Sequence, residues 1–215
     1  MHIPDGFLSP QTYLPAYGLA AGLWWVAARR LRDRLDAGHL PWLAAATALA
    51  FVLMMLALPL PGGSTVHASG IALLAVNFGV WTAFLAVSLV LAMQALLFGA
   101  GGVTALAVNA LAMGLLGSLA AWLAWRPLRR LHEASALFLA GWVSVVVPAL
   151  ALALILGIQP MIAHDTTGRP LFFPFDLSVT LPAVLIPHVL VGLGEGLLTW
   201  LGTVTLRRLQ ARHAT

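Results

Sequence analysis

The chain has 215 residues, of which 61% are hydrophobic and 8% are charged, whereas about 25% of residues in a soluble domain are charged. These values predict an integral membrane protein in which residues 1–215 form a single polytopic domain. The 11 basic residues are all arginine and lie at the ends of apolar runs, so we expect a lipid bilayer around the chain and no nucleic-acid partner.

Missing residue types exclude several kinds of chemistry. The chain has no cysteine, which excludes disulfides, thiolate metal ligands and cysteine nucleophiles. It has no lysine, which excludes a GxxxxGK[ST] phosphate loop, so uphill transport would need a partner or an ion gradient. No HExxH or GxSxG pattern occurs, which argues against an intramembrane hydrolase. We therefore predict that the chain is not an enzyme.

The chain begins with a metal-chelating pattern, Met1-His2-Ile3-Pro4-Asp5-Gly6. The α-amine of Met1, the backbone nitrogen of His2 and Nδ1 of its ring can close two fused chelate rings on one ion and leave one in-plane position open. Four nitrogens in a plane suit Ni(II), Cu(II) and low-spin Co(II). No basic region precedes the first apolar run, so we expect no signal-peptide cleavage and a metal-binding segment over residues 1–11.

The next elements are apolar runs long enough to span a bilayer, at about 12–28, 42–60, 70–98, 104–125, 135–157 and 182–206. As one helix, the run 70–98 would be about 43 Å long, against a hydrocarbon core of about 30 Å. We therefore predict two helices there, near 68–78 and 81–98, with a break at Asn77-Phe78-Gly79. The first is too short to span comfortably, so we expect it to pack against protein.

Arginine placement favours seven segments with an extracytoplasmic amino terminus and a cytoplasmic carboxy terminus. This arrangement puts ten arginines inside and only Arg169 outside, whereas six segments put five inside and six outside. The predicted fold class is an all-α protein of about seven transmembrane helices in the cell inner membrane. The amino terminus and the loop 59–69 then share the outer side, where His2 and His67 can meet.

Several polar residues lie within or beside the later apolar runs. Glu195 has His188 seven residues earlier on the same helical face. The pair fits a proton relay, or Glu195 is a hydrogen-bonded group that fixes helix packing, which we favour. Gln94 and Asn109 need partners in lipid, and bond either the amino-terminal segment or each other. His164-Asp165 is predicted to lie in a solvated outer loop.

Motifs along nearly the whole chain resemble those of one family. They are Met1-His2-Ile3-Pro4-Asp5-Gly6-Phe7-Leu8-Ser9-Pro10, Pro61-Gly62-Gly63-Ser64-Thr65-Val66-His67, Gln94-Ala95-Leu96-Leu97-Phe98-Gly99, Gly101-Gly102-Val103-Thr104-Ala105-Leu106 with Asn109, and His188 with Gly192-Leu193-Gly194-Glu195-Gly196-Leu197. On these residues the chain resembles the nickel/cobalt substrate-binding membrane subunits of energy-coupling-factor transporters, the CbiM/NikM family.

The resemblance implies capture of Ni2+ or Co2+ as a transported substrate, with no cofactor. It implies a square-planar site formed by the Met1 amine, the amide and ring of His2, and His67. We also predict Gln94, Asn109 and Glu195 as residues that support these ligands. The implied partners are a transmembrane coupling subunit, ATPase subunits and a small accessory membrane subunit. The alternative is a bis-histidine haem membrane protein that uses His67 and His188.

Overall fold

The computed structural model describes residues 2–32, 38–59 and 65–213 and is mainly helical. The predicted ligand Met1 therefore lies outside the described residues. The elements are α1 (Pro10–Arg32), α2 (Leu40–Met55), β1 (Leu58–Pro59), β2 (Thr65–Val66), α3 (Ile71–Phe78), α4 (Val80–Phe98), α5 (Leu106–Asn109), a π-helical segment (Ala110–Gly117), α6 (Ser118–Leu128), α7 (Glu133–Gly157), α8 (Gln159–Ile162) and α9 (Leu177–His213). The two short strands pair antiparallel.

Helices lie at each of the predicted apolar runs, but they differ in their capacity to cross a membrane. Among the described residues, four are long and apolar enough to span, namely Val80–Phe98, Leu106–Leu128, Glu133–Ile162 and Leu177–His213. The helix α2 has 16 residues and α3 has only eight, and α1 ends in three arginines. The chain is thus a helical membrane protein, while the count of seven spans and the orientation of the termini stay predictions.

The predicted break near residues 77–79 is confirmed, and Gly79 makes it. Gly79 has φ +88° and ψ 161°, a backbone conformation that side-chain-bearing residues rarely adopt. It separates α3 from α4, and six of the eight α3 residues are buried. Asn77 at the end of α3 donates to Thr203 Oγ1 of α9 at 3.1 Å. The short helix therefore packs against protein, as its length predicted.

Contacts between helix ends show which ends lie side by side. The Arg30 guanidinium near the end of α1 lies 4.7 Å from the ring centroid of Trp81, near the start of α4. Arg207 of α9 forms an ion pair with Glu133 at the start of α7. The topology predicted from the arginines places the end of α1 and the start of α4 on one side of the membrane, and likewise the start of α7 and the end of α9. Both contacts agree with that prediction.

Glycines set the close packing of α7 on α9. A Cβ on Gly141 would lie 2.5 Å from the Glu195 carbonyl oxygen, and one on Gly196 would lie 2.7 Å from the Phe138 carbonyl oxygen. Neither backbone can move away cheaply, so only glycine permits this approach. Gly194, in contrast, has no neighbour within 4 Å of a Cβ position. The close contact fixes the depth at which Glu195 sits in the protein.

Candidate metal centre

The amino-terminal segment is held in the protein through the backbone of Ile3. Asn109 accepts from the Ile3 amide and donates to the Ile3 carbonyl, both at 3.0 Å. The same carbonyl accepts from Gly102 N at 2.9 Å. Ile3 and Asn109 are both almost fully buried. Of the two sequence alternatives, Asn109 thus bonds the amino-terminal segment, and it fixes the residue directly after His2.

Asp5 forms a second attachment. Its carboxylate accepts from the Thr104 amide at 2.7 Å, from the Thr104 hydroxyl and from the Val103 amide at 3.1 Å. The Thr104 hydroxyl is the main cause that lowers the pKa of Asp5, so the charged carboxylate is the stable form. A Cβ on Gly102 would lie 2.5 Å from the Asp5 amide nitrogen. The segment therefore lies directly on the backbone of the 101–104 loop.

A third attachment joins the start of α1 to α8. Gln159 accepts from the Ser9 amide at 3.0 Å and donates to Thr12 Oγ1 at 3.1 Å. Gln159 is fully buried. No sequence pattern predicts this contact, because Gln159 and Ser9 are 150 positions apart.

His67 lies in a buried loop directly after β2 and is 3% exposed. Its Nδ1 lies 3.0 Å from the Ala68 carbonyl oxygen. A carbonyl only accepts hydrogen bonds, so Nδ1 carries the proton and Nε2 carries the lone pair. Nε2 is buried and has no hydrogen-bond partner among the described residues. His67 is thus prepared to donate this lone pair to a metal.

Glu195 holds the loop that carries His67. Its carboxylate accepts from Ser69 N at 2.7 Å, Ser69 Oγ at 3.0 Å and Gly70 N at 2.7 Å. Three donors around one carboxylate satisfy the charged form. No proton relay is needed to explain Glu195. The carboxylate is hydrogen-bonded, as the favoured interpretation predicted, and its partners are in the loop that follows His67.

The rings of His2 and His67 lie together, with centroids 4.7 Å apart and planes inclined by 45°. Two imidazoles on adjacent corners of a square plane have centroids about 4.4 Å apart, and on opposite corners about 6.2 Å, for metal–nitrogen bonds of about 2.0 Å. The observed spacing fits adjacent corners. The in-plane position that the chelate of Met1 and His2 leaves open is adjacent to the ring nitrogen of His2.

Burial keeps both rings neutral. It is the largest cause that lowers the pKa of His67 to about 3 and the pKa of His2 well below its usual range. A metal ligand must be deprotonated, so both rings are ready to bind at neutral pH. The described residues contain no group of three or more His, Asp or Glu side chains that would hold an ion.

The other predicted polar residues lie elsewhere. Gln94 is fully buried and donates to the Phe51 carbonyl at 3.3 Å, and no hydrogen bond joins it to the amino-terminal segment among the described contacts. His188 is buried on α9, and its Nδ1 lies 2.6 Å from the Val184 carbonyl oxygen. Asp165 is half-buried between exposed neighbours, and it accepts from the Thr167 hydroxyl and the Arg169 amide within its own loop.

Comparison with known proteins defines the class of this chain. The CbiM family model, described as a cobalt uptake substrate-specific transmembrane region, matches residues 2–213. A crystal structure of a truncated transition metal transporter superposes with a TM-score of 0.92 at 37% identity, and covers 97% of this chain and 99% of that one. The chain therefore belongs to the CbiM family of membrane proteins.

Individual relatives agree with this assignment. The fused nickel transport protein NikMN of Rhodobacter capsulatus is 38% identical over the whole of this chain. The probable fused nickel transport protein LarMN of Lactiplantibacillus plantarum is 41% identical over 89% of it. The chain spans 65% and 59% of the lengths of these two relatives. All are named as transport proteins, which agrees with the prediction that this chain is not an enzyme.

Proposed function

We propose that the chain is the substrate-capture component of an energy-coupling-factor importer for Ni2+ or Co2+. The bound ion would lie in a square plane formed by the Met1 amine, the amide nitrogen and ring of His2, and His67. The 4.7 Å spacing of the two rings carries this proposal, because it matches two adjacent ligands of one planar ion. The burial of His67 and the shielding of Nε2 in both rings from solvent support it.

The three attachments of the amino-terminal segment explain how a chain end becomes a high-affinity site. A free peptide with the same first residues loses backbone freedom when it closes around a metal, at about 1–2 kcal/mol per residue. Here the hydrogen bonds to Ile3, Asp5 and Ser9 have already fixed the following residues. We propose that this preorganisation gives the chelate its affinity and that residues 1–11 act as one binding segment within a single polytopic domain.

Delivery of the ion requires partners in this proposal. We propose a transmembrane coupling subunit, ATPase subunits and a small accessory membrane subunit, assembled in the cell inner membrane. The chain has no lysine for a phosphate loop, so ATP hydrolysis would come from another subunit. The haem alternative gains no support, because the His2 ring lies against His67 where a porphyrin would need space.

Calorimetric titration of Ni(II) into the full chain with an unblocked amino terminus tests the proposal. We expect His2→Ala to abolish high-affinity binding and His67→Ala to weaken it, because the latter leaves three nitrogens. His164→Ala is the matched control. His164 is exposed, and among the hydrogen bonds of the described residues its ring contacts only the carbonyl oxygen of the next residue, Asp165. An unchanged affinity in His2→Ala would overturn the proposed site.

A further inference from the structure

The buried face of α9 has an unusual composition. Its buried residues are all polar, charged or glycine, namely Thr180, His188, Gly192, Glu195, Gly196, Thr199 and Thr203. Glycines allow close packing, and Glu195 and Thr203 have hydrogen-bond partners. Polar side chains inside a membrane protein are costly, and they mark functional positions by default. The capture site as described leaves His188 without a role.

His188 has the same arrangement of ring nitrogens as His67. It is 2% exposed, and its Nδ1 lies 2.6 Å from the Val184 carbonyl oxygen. Because that oxygen only accepts, Nδ1 carries the proton and Nε2 carries the lone pair. This Nε2 is buried and has no hydrogen-bond partner among the described residues. A buried nitrogen without a partner destabilises a protein unless something else binds it.

The fold places His188 beside the loop of His67. His188 and Glu195 are separated by two helical turns on one face of α9, about 10 Å along the axis. Glu195 holds Ser69 and Gly70, and His67 lies two residues before Ser69. α9 also contacts β2, the strand that ends directly before His67. His67 and His188 thus lie on contacting parts of the fold, and each has a buried Nε2 without a hydrogen-bond partner among the described residues.

We propose that His188 is an exchange ligand, which takes the ion from His67 when the planar site opens. This inference rests on the proposed function, since it needs a metal in the plane. A bond forms between His188 Nε2 and the ion while the bond to His67 Nε2 breaks. No proton moves, because both Nδ1 atoms keep theirs on carbonyl oxygens. A planar ion has open axial positions, so an incoming fifth ligand lowers the barrier to losing an old one.

The described residues place no third His, Asp or Glu side chain around one ion with His2 and His67. In the proposal the two rings act in succession, and the exchange requires a shift of the His188 ring or of the loop that carries His67. Such a step addresses the difficulty of a tight capture site, in which four nitrogens hold the ion too firmly for rapid delivery. His188 would speed release without forming part of the resting plane.

A spectroscopic experiment uses the absence of cysteine from the chain. Ni(II) is added to the full chain carrying His67→Ala with His188→Cys, and to a control carrying His67→Ala with Leu193→Cys. Leu193 is 51% exposed on the outside of the same helix. We expect a thiolate-to-nickel charge-transfer band in the first protein only. Equal absence of the band in both proteins would overturn the proposal.

A kinetic experiment keeps the test independent of the cysteine variant. His188→Asn retains a donor for the Val184 carbonyl but is a poor metal ligand. We expect release of Ni(II) from this variant to a competing chelator to slow at least tenfold. A merely structural defect loosens the site and speeds release, and that result would contradict the proposal, as would an unchanged rate. If the unmodified chain binds no Ni(II), the proposed function itself fails; if it binds and both experiments are negative, only the exchange ligand fails.

Discussion

Replacement of Asn109 by alanine tests whether preorganisation of the amino-terminal segment creates the metal site. Asn109 makes two hydrogen bonds to the backbone of Ile3. In Asn109→Ala the Ile3 carbonyl keeps its bond from Gly102 N. The Ile3 amide, in a residue that is 1% exposed, loses its acceptor. The segment then docks less firmly, although every proposed ligand is still present.

The structure sets the size of the effect. A typical intramolecular hydrogen bond contributes about 1 kcal/mol net, and a buried donor left without a partner costs about 1–3 kcal/mol. The lost bond from Asn109 to the Ile3 carbonyl and the orphaned Ile3 amide together amount to about 2–4 kcal/mol. Each 1.4 kcal/mol is about a tenfold change in affinity. We therefore expect Asn109→Ala to weaken Ni(II) binding by roughly 30- to 700-fold.

Calorimetric titration of Ni(II) measures this change directly. Asn109→Asp should lie between the two proteins, because it retains an acceptor for the Ile3 amide and loses the donor to the carbonyl. Asn77→Ala is the matched control, since Asn77 bonds Leu73 and Thr203 and not the amino-terminal segment. If Asn109→Ala binds within threefold of the unmodified chain, the reasoning from preorganisation is refuted.

Three further predictions follow from the same geometry. Gly102→Ala should weaken Ni(II) binding at least tenfold in a titration, because its Cβ would lie 2.5 Å from Asp5 N, whereas Gly18→Ala, with open space around it, should not. Residues added ahead of Met1 should abolish high-affinity uptake and a carboxy-terminal tag should not, and equal uptake by both forms would exclude the terminal amine as a ligand. The metal-free chain should lose stability as pH falls from about 6.5 toward 3, because burial holds the pKa of His67 at about 3 while the unfolded ring takes up a proton near 6.5. Thermal unfolding of His67→Ala should show a shallower fall over this range, and an equal slope would contradict that origin.

Simple physical constraints made parts of this protein predictable. The length of the run 70–98 against the thickness of a bilayer required a break, and Gly79 provides it. Arginine placement predicted that the amino terminus and the loop of His67 share one side of the membrane. The ring centroids of His2 and His67 lie 4.7 Å apart, which agrees with that placement. These predictions depend only on hydrophobicity and charge along the chain, and both can be read from a single sequence.

Other parts depend on contacts between distant residues and had no local signal. Gln159 holds the start of α1 across 150 positions, and Asp5 bonds Thr104 across 99. The sequence indicated that Glu195 would be hydrogen-bonded, but not that its partners are Ser69 and Gly70. Only the packed fold shows that this carboxylate supports the loop of a proposed ligand.

The electronic and magnetic state of bound Ni(II) tests the central claim most directly. It is measured on the full chain with a free amino terminus, by absorption spectroscopy and magnetic susceptibility of the one-to-one complex. Four nitrogens in a square plane predict a yellow, diamagnetic complex without sulfur charge-transfer bands, since the chain has no cysteine. A paramagnetic, octahedral spectrum would mean that oxygen ligands dominate, and it would contradict binding by the amino-terminal chelate with His2 and His67.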